Sequence, residues 1–463
     1  MVCVDVGSTY TKAMAVDVRR GALIATADHP TTVGSDVLRG VDAAVAATGF
    51  PDAPVRACSS AGGGLRLAVV GYEALVTAEA GSRVGLSAGA RVVHVATGRI
   101  THADVAALRR SRPDIVLLVG GTDGGDEEVL RHNARRLATA RLRIPVVLAG
   151  NVVVRDDVAA LLSERGVPVL PTENVLPRIG ELNPGPARAT IRDVFLRHVI
   201  GGKHLSSDHR FAELVRGPTP DIVLTAVELL ADTDAEGPSN VVVVDVGGAT
   251  TDVYSVLNPD AETEAGPRRE VAGTLWRSRT VEADLGVRWS APGVVAAATA
   301  EGLLDPAEAE TLTAAAERRA DGTAPDDDPT IDRRLAQLAI TIALRRHARG
   351  ERLASPTAPR RGGKDLRPVS LVIGSGGVLR HAAPDAASQL VRAGVTDHAG
   401  GYPLPERARY TVDHRYVLAA AGLLAEDHRD AARTLLARAF GDPATNRDDT
   451  PDATRRASRS QDD

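Results

Sequence analysis

Two turns in this sequence have the composition of a phosphate-binding loop, and the clearer one follows four valines in the stretch VVVVDVGGATTD. Its candidate site positions are Asp245, Gly247, Gly248, Thr250 and Thr251. Glycines let an anion approach the main chain closely, and the threonines add hydroxyl and amide donors. A carboxylate repels a phosphate unless a cation lies between them. We therefore expect Asp245 to hold a Mg²⁺ ion that bridges the oxygens of a nucleotide.

A second turn of the same kind opens the chain, in the stretch VCVDVGSTYTK. Its acid is Asp5, and the positions that follow are Gly7, Ser8, Thr9 and Lys12. The pattern predicts a second phosphate-binding turn whose acid, Asp5, also serves the metal. Lys12 lies seven residues after Asp5, so it either contacts a phosphate or is a solvated lysine at a strand end.

A third glycine turn lies late in the chain, in the stretch VSLVIGSGGVL, where the glycines are Gly374, Gly376 and Gly377. A turn without Cβ atoms can accept the base and ribose of a nucleotide. Alternatively, these glycines serve only to pack a strand end closely against a helix. Both interpretations agree with the apolar run that precedes the turn.

Strands must position all three turns, because each turn directly follows an apolar run. After the opening turn, the pattern predicts strands at 14–18 and 22–27, a helix at 36–47, and strands at 55–58 and 65–70. Between residues 92 and 170, apolar runs alternate with helical stretches. This alternation indicates parallel strands whose faces are covered by helices.

The order of the three turns resembles the phosphate 1, phosphate 2 and adenosine motifs of the superfamily of actin, sugar kinases and heat-shock ATPases. The resemblance implies an α/β fold with a duplicated ribonuclease H-like unit, here carrying an inserted βαβ region. It implies ATP and Mg²⁺ as cofactors and matches Lys12 to the phosphate-contacting lysine of actin-like members. We expect an N-terminal half with the insertion at 1–240, a C-terminal half at 241–440, and a disordered tail at 441–463.

The inserted region contains an acidic glycine loop, Gly120–Glu128, between a strand and a helix. Its glycines lack the spacing of a dinucleotide-binding fingerprint, and its acids would repel a pyrophosphate at a helix start. The loop is therefore either an acidic helix cap or a loop that faces a cation or substrate. In a kinase, Asp123 and Asp126 are the placed candidates to accept the proton of a substrate hydroxyl. Asn151 follows the next strand and can share this edge, whereas the chemistry assigns no role to Lys203.

The composition argues against several partner classes. A net charge of -5, from 55 basic and 60 acidic residues, leaves no positive excess for binding nucleic acid or a membrane surface. No apolar run approaches the roughly 20 residues that span a bilayer, and the strand starting at Val2 leaves no room for a signal peptide. Cys3 and Cys58 cannot form a disulfide framework and lack metal-ligand spacing. We expect a cytoplasmic protein without nucleic-acid or membrane partners.

Several longer segments together resemble the MutL family associated with glutamate mutase, which is unrelated to the mismatch-repair protein of that name. They include VDVGSTYTKA, LLVGGTDGG, PTENVLP, IRDVFLRHVIGGKHL and VVVVDVGGATTDVYSV. The resemblance implies an ATPase that binds the subunits of an adenosylcobalamin-dependent mutase as a chaperone or reactivating factor. The chain lacks the D-x-H-x-x-G pattern that ligates cobalt in the mutases, so we expect no corrinoid binding of that kind. A small-molecule kinase and a hydantoinase-like enzyme, which share the fold, are the alternatives.

Overall fold

The computed structural model describes residues 1–61, 64–73, 76–200, 205–232, 240–258, 276–322, 328–350, 363–396 and 400–441. Lys203 and the chain from residue 442 onward lie outside the described residues. The disordered tail and the two domain boundaries therefore stay predictions.

Strands and helices alternate along most of the described chain. The strands are β1 (Val2–Val6), β2 (Tyr10–Asp17), β3 (Ala22–Pro30), β4 (Val55–Ser59), β5 (Leu65–Gly71), β6 (Ala90–Thr97), β7 (Ile115–Leu118), β8 (Val146–Leu148), β9 (Val169–Pro171), β10 (Val215–Pro218), β11 (Val241–Val246), β12 (Thr251–Val256), β13 (Arg277–Glu282), β14 (Leu371–Ser375) and β15 (Arg409–Val412). The helices are α1 (Val37–Ala47), α2 (Thr77–Ser87), α3 (His102–Arg110), α4 (Glu128–Thr139), α5 (Arg155–Glu164), α6 (Pro184–Val194), α7 (Arg210–Leu214), α8 (Thr219–Ala231), α9 (Ala291–Ala300), α10 (Pro306–Ala320), α11 (Pro329–Arg349), α12 (Gly377–His381), α13 (Pro384–Val395), α14 (Val417–Leu424) and α15 (Arg429–Phe440).

Two sheets have the same strand order and the same strand directions. The first is β10-β4-β1-β2-β3, and the second, read from the corresponding edge, is β15-β14-β11-β12-β13. In each sheet the central strand runs antiparallel to the hairpin strand that follows it and parallel to its other neighbour. The central strands VCVDV and VVVVDV are rich in β-branched residues because both of their faces are covered. This repetition confirms the predicted α/β fold with a duplicated unit.

The predicted βαβ insertion is a third sheet between β4 and β10 in the chain. Its order is β6-β5-β7-β8-β9, and its strands are parallel. The strand predicted at 65–70 is β5, and it belongs to this inserted sheet rather than to the first sheet. Its apolar run resembles a strand of either sheet, so periodicity alone could not assign it. The strand that completes the first sheet is β10, whose sequence VRGP carries no apolar pattern.

A hydrophobic core joins the two repeated sheets. It contains Cys3 and Met14 from the first sheet and Val243 and Tyr254 from the second, together with apolar residues of α8, α14 and α15. Both sheets thus pack against shared helices, and the turns at the ends of β1 and β11 open toward the same space. None of the helices in the described ranges is long and apolar enough to cross a membrane.

Candidate functional site

A cavity of about 790 Å³ lies between the two repeated sheets and receives all three glycine turns. A volume of this size is typical of small-molecule and cofactor sites. The predicted site residues that line it are Asp5, Gly7, Ser8, Thr9, Lys12, Asp245, Gly247, Gly248, Thr250, Gly376 and Gly377. Residues separated by hundreds of positions in the chain are therefore brought together here.

The two acid-and-glycine turns are equivalent hairpins. The amide of Gly7 donates to the carbonyl oxygen of Tyr10, and the amide of Gly247 donates to the carbonyl oxygen of Thr250. The β1–β2 register pairs Asp5 with Lys12, whereas the β11–β12 register pairs Asp245 with Asp252. Residues paired in this way point to one face of the sheet. The duplicated fold thus places a lysine opposite the first acid and an acid opposite the second.

Lys12, Thr219 and Cys58 contact the carboxylate of Asp5, which is 5% exposed. Lys12 Nζ lies 2.9 Å from Asp5 Oδ2, and the hydroxyl of Thr219 donates to Asp5 Oδ1 at 2.7 Å. Burial opposes the charged ammonium, but Asp5 and Tyr416 outweigh it and raise the pKa of Lys12. Lys12 is a charged partner of Asp5, so the alternative of a solvated lysine is wrong.

Asp245 has a different electrostatic environment from Asp5. Burial and the nearby charge of Asp252 raise the pKa of Asp245 to about 6. Lys12 and a hydrogen bond with Ser375 act in the opposite direction. An acid whose ionised form is disfavoured in this way gains from a bound cation, because the cation supplies the missing opposite charge. This environment fits the predicted metal role of Asp245.

The third glycine turn combines a packing position with an open position. Gly376 has φ +108°, and a Cβ there would lie 2.1 Å from the carbonyl oxygen of Val246. The packing interpretation therefore accounts for Gly376, because a side chain would collide with the main chain of β11. A Cβ at Gly377 would have no atom within 4 Å. Gly377 is accordingly the position at which a ligand can approach the turn.

Two predicted site residues do not reach the cavity. Thr251 is fully buried, and its hydroxyl donates to the carbonyl oxygen of Leu285. Gly374 is packed within the sheet, where a Cβ would lie 2.5 Å from Val391 Cγ2 and 2.8 Å from Leu379 Cδ1. Side chains alternate between the faces of a strand, so neighbouring positions cannot all face one ligand.

Tyr416 and Arg380 are site residues that were not predicted, because no motif surrounds them in the sequence. The ring centroid of Tyr416 lies 5.0 Å from Lys12 Nζ and 4.0 Å from the guanidinium carbon of Arg380. Tyr416 has φ +55°, a left-handed conformation that is rare for a bulky residue. Arg380 Nη1 also lies 2.9 Å from Asp28 Oδ2. These side chains connect the two repeated sheets across the cavity.

The acidic loop of the insertion lies apart from the cavity, whose lining includes neither Asp123 nor Asp126. Asn174 Nδ2 donates to Asp123 Oδ1 at 2.8 Å, and the amide of Val152 donates to the same oxygen at 3.1 Å. Asn151 Oδ1 accepts from the amide of Gly124 at 3.1 Å. Asp123 and two asparagines thus join three neighbouring loops of the inserted sheet, which gives this loop a structural role.

Comparison with known proteins identifies the family of this chain. The family model described as MutL protein matches residues 1–440. Protein MutL of Clostridium tetanomorphum is 37% identical over 447 residues, which cover 92% of this chain and 96% of that protein. Similar solved structures include nucleotide-free acetone carboxylase, at 15% identity and a TM-score of 0.38 over 92% of this chain and 70% of that chain. Another is a glycerol dehydratase reactivase, at 11% identity and a TM-score of 0.31 over 92% and 99%. These structural scores are too low to bear on function, whereas the sequence matches show that the chain belongs to the MutL protein family.

Proposed function

We propose that this protein binds ATP and hydrolyses it with Mg²⁺, and that it serves an adenosylcobalamin-dependent mutase of the glutamate mutase type as a reactivating chaperone. The observation that carries the nucleotide part is the pair of equivalent hairpins that face one cavity. Paired acid-and-glycine hairpins on repeated sheets supply carboxylates for a metal and open main chain for phosphates. The mutase part is supported by membership of the MutL family.

Asp5 and Asp245 are the residues that would hold the metal. Among the described residues, no group of three or more His, Cys, Asp or Glu side chains could hold an ion by itself. Mg²⁺ at nucleotide sites is usually bound by one or two carboxylates together with phosphate oxygens and water. The two hairpin acids match that number. When bound, the ion would neutralise charge that develops on the phosphates during hydrolysis.

The remaining cavity residues would bind and orient the nucleotide. Gly248 and Thr250 would border the phosphates, and Gly377 would border the adenosine, because these positions line the cavity. Lys12 holds Asp5 and also lines the cavity, so its ammonium group would be placed to pair with a phosphate. Thr219 would keep the Asp5 carboxylate oriented through its hydrogen bond.

Nucleotide binding would close the cavity because each half of the fold contributes one hairpin. A ligand shifts a conformational equilibrium by the difference in its affinity for the two states. ATP touches both halves fully only when they are closed, so its binding energy would favour closure, and hydrolysis would release it. A mutase that binds one of the two states would be held or released as ATP turns over.

The kinase alternative lacks a general base at the cavity among the two acids that were predicted for that role. Asp123 and Asp126 lie on the insertion, away from the cavity lining, so neither could accept a proton from a substrate placed beside the phosphates. A hydantoinase-like activity would require an amide substrate beside the same phosphates. Both alternatives predict product formation from a small molecule without any mutase.

The test combines ATP hydrolysis with mutase reactivation. A purified adenosylcobalamin-dependent mutase is inactivated by turnover and then incubated with this protein, Mg²⁺, ATP and free adenosylcobalamin. We expect mutase activity to return with ATP and not with ADP, and the Asp245→Asn variant to give no recovery. An absence of recovery, together with rapid phosphorylation of a small metabolite, would replace the chaperone with a kinase.

A further inference from the structure

Arg279 joins the second phosphate hairpin to the inserted unit. Its side chain is 4% exposed, and its Nη2 donates to Asp252 Oδ1 at 3.0 Å. Its Nη1 donates to the carbonyl oxygen of Ala90, the first residue of β6, at 3.4 Å. One guanidinium therefore contacts the acid opposite Asp245 and the main chain of the inserted sheet.

The difference between the two hairpins explains why a cation is needed here. In the first hairpin, the residue opposite the acid is Lys12, which neutralises Asp5 directly. In the second hairpin, the equivalent residue is Asp252, and like charges directly opposite each other destabilise a sheet. Arg279 comes from the next strand, and its planar fork can hold a carboxylate and a carbonyl oxygen together. It supplies the positive charge that the second hairpin itself lacks.

Arg279 is tightly constrained by its surroundings. Its Nε is buried and has no hydrogen-bond partner among the described residues. The ring centroid of Tyr254 lies 5.7 Å from its guanidinium carbon. A buried charge is stable only while its partner stays close. A displacement of Asp252 would therefore displace Arg279 and alter its contact with Ala90.

The part of the insertion next to Arg279 borders the nucleotide cavity. Helix α2 packs against β13. Gly89 joins α2 to β6 with φ +79°, and a Cβ there would lie 2.9 Å from the amide nitrogen of Asp221. Gly89 and Arg91 line the same cavity as the phosphate hairpins. The connection between α2 and β6 is thus closely packed and lies beside the site.

We propose that Arg279 is a positioning residue of the ATPase, which holds Asp252 beside Asp245 and couples the bound nucleotide to the inserted unit. This inference rests on the proposed ATP binding. A nucleotide and its metal change the charge beside Asp245, and the Asp252 carboxylate adjusts to that charge. Arg279 follows its partner and transmits the displacement to β6 and α2.

Two substitutions separate the functions of Arg279. Arg279→Met removes the charge and both hydrogen bonds, whereas Arg279→Lys keeps a cation for Asp252 without the fork that also reaches Ala90. Arg345→Met is the matched control. Arg345 Nη1 also lies 3.0 Å from an acid, Glu301, and its side chain is also 4% exposed. Its guanidinium carbon lies 5.2 Å from a tyrosine ring, and the cavity lining does not include it.

The experiment measures three quantities on the full chain. Calorimetry gives the affinity for Mg²⁺ and adenylyl imidodiphosphate, steady-state kinetics give kcat and KM for ATP, and mass spectrometry follows amide hydrogen exchange at residues 77–97. In the unmodified protein we expect the nucleotide analogue to slow that exchange at least about threefold. Arg279→Met should lower kcat at least about tenfold and change KM less than about threefold, because it removes positioning rather than binding. Arg279→Lys should recover most of kcat, yet in both variants the analogue should no longer slow exchange.

The control and the contradicting outcomes are distinct. Arg345→Met should keep the kinetic constants and the nucleotide-dependent exchange, even where it lowers thermal stability as much as Arg279→Met does. An Arg279→Met protein in which the bound analogue still slows exchange would overturn the coupling. The coupling would also be overturned if the unmodified protein bound the analogue without any change in amide hydrogen exchange at residues 77–97. That result would leave the ATPase proposal intact. Failure to bind the analogue at all would overturn both.

Discussion

Replacing Asp245 by asparagine should stabilise the nucleotide-free protein while it abolishes ATP hydrolysis. The substitution keeps the size of the side chain and removes a charge that burial and Asp252 disfavour. It also removes one of the two carboxylates proposed to hold Mg²⁺. A functional acid is expected to lower the stability of the free protein in this way, because its environment is arranged for a ligand.

The size of the effect follows from the pKa of Asp245, which rises from 3.8 to about 6 on folding. At about 1.4 kcal/mol per pKa unit, ionised Asp245 lowers the free energy of unfolding by about 3 kcal/mol. The folded protein binds more protons than the unfolded chain between pH 4 and pH 6, so stability falls as the pH rises through that window. The stability gained by Asp245→Asn should therefore grow from about 1.5 kcal/mol at pH 5 to about 3 kcal/mol at pH 7.5.

The assay is urea unfolding of both proteins at pH 5 and pH 7.5 without nucleotide, followed by ATP turnover with Mg²⁺. Asp284→Asn is the control with the opposite sign. Burial opposes ionised Asp284, but two hydrogen bonds from Arg346 outweigh it and lower the pKa of Asp284. That variant should lose stability and keep turnover. An Asp245→Asn protein no more stable than the unmodified one at pH 7.5 would refute the electrostatic argument, and normal turnover would remove the metal role.

Three further predictions concern the glycine turns and a buried histidine. Gly248→Val should abolish ATP binding measured by calorimetry and leave the melting temperature nearly unchanged, because Gly248 lines the cavity and its added Cβ would meet its nearest neighbours only at 3.5 Å or more. Gly377→Val should weaken ATP and ADP binding in a folded protein. Gly376→Val should instead lower the melting temperature strongly, because a Cβ at residue 376 would meet the main chain of Val246. Equal melting temperatures of the two variants would contradict this distinction. Burial and Lys364 lower the pKa of His347 to about 3, so its proton uptake favours the unfolded chain below pH 6.5. Between pH 6.5 and pH 5 the protein should lose about 1.6 kcal/mol of unfolding free energy that His347→Gln does not lose, as urea titrations at the two pH values would show.

The sequence by itself predicted the two acid-and-glycine hairpins, and their resemblance to the motifs of the actin-like superfamily implied the duplicated fold. Each hairpin is a local structure, in which an apolar strand, an acid, a glycine turn and a return strand follow one another within about twelve residues. Period-two alternation and turn geometry then fix the register. The pairing of Asp5 with Lys12 and of Asp245 with Asp252 follows from that register. These features depend on neighbours in the chain, which the sequence displays directly.

Only the tertiary structure decided which residues complete the site. Thr219, Arg279 and Tyr416 reach the hairpins from distant elements, and their surrounding sequence carries no motif. Strand β13 begins with Arg277, so it lacks the apolar run by which a buried strand is usually predicted. Arg279 of this strand is buried because Asp252 neutralises it. That partner becomes apparent only when the two strands are paired. The contacts of a buried charge are set by packing across the whole fold. The geometry of a hairpin is set by the few residues of the hairpin itself.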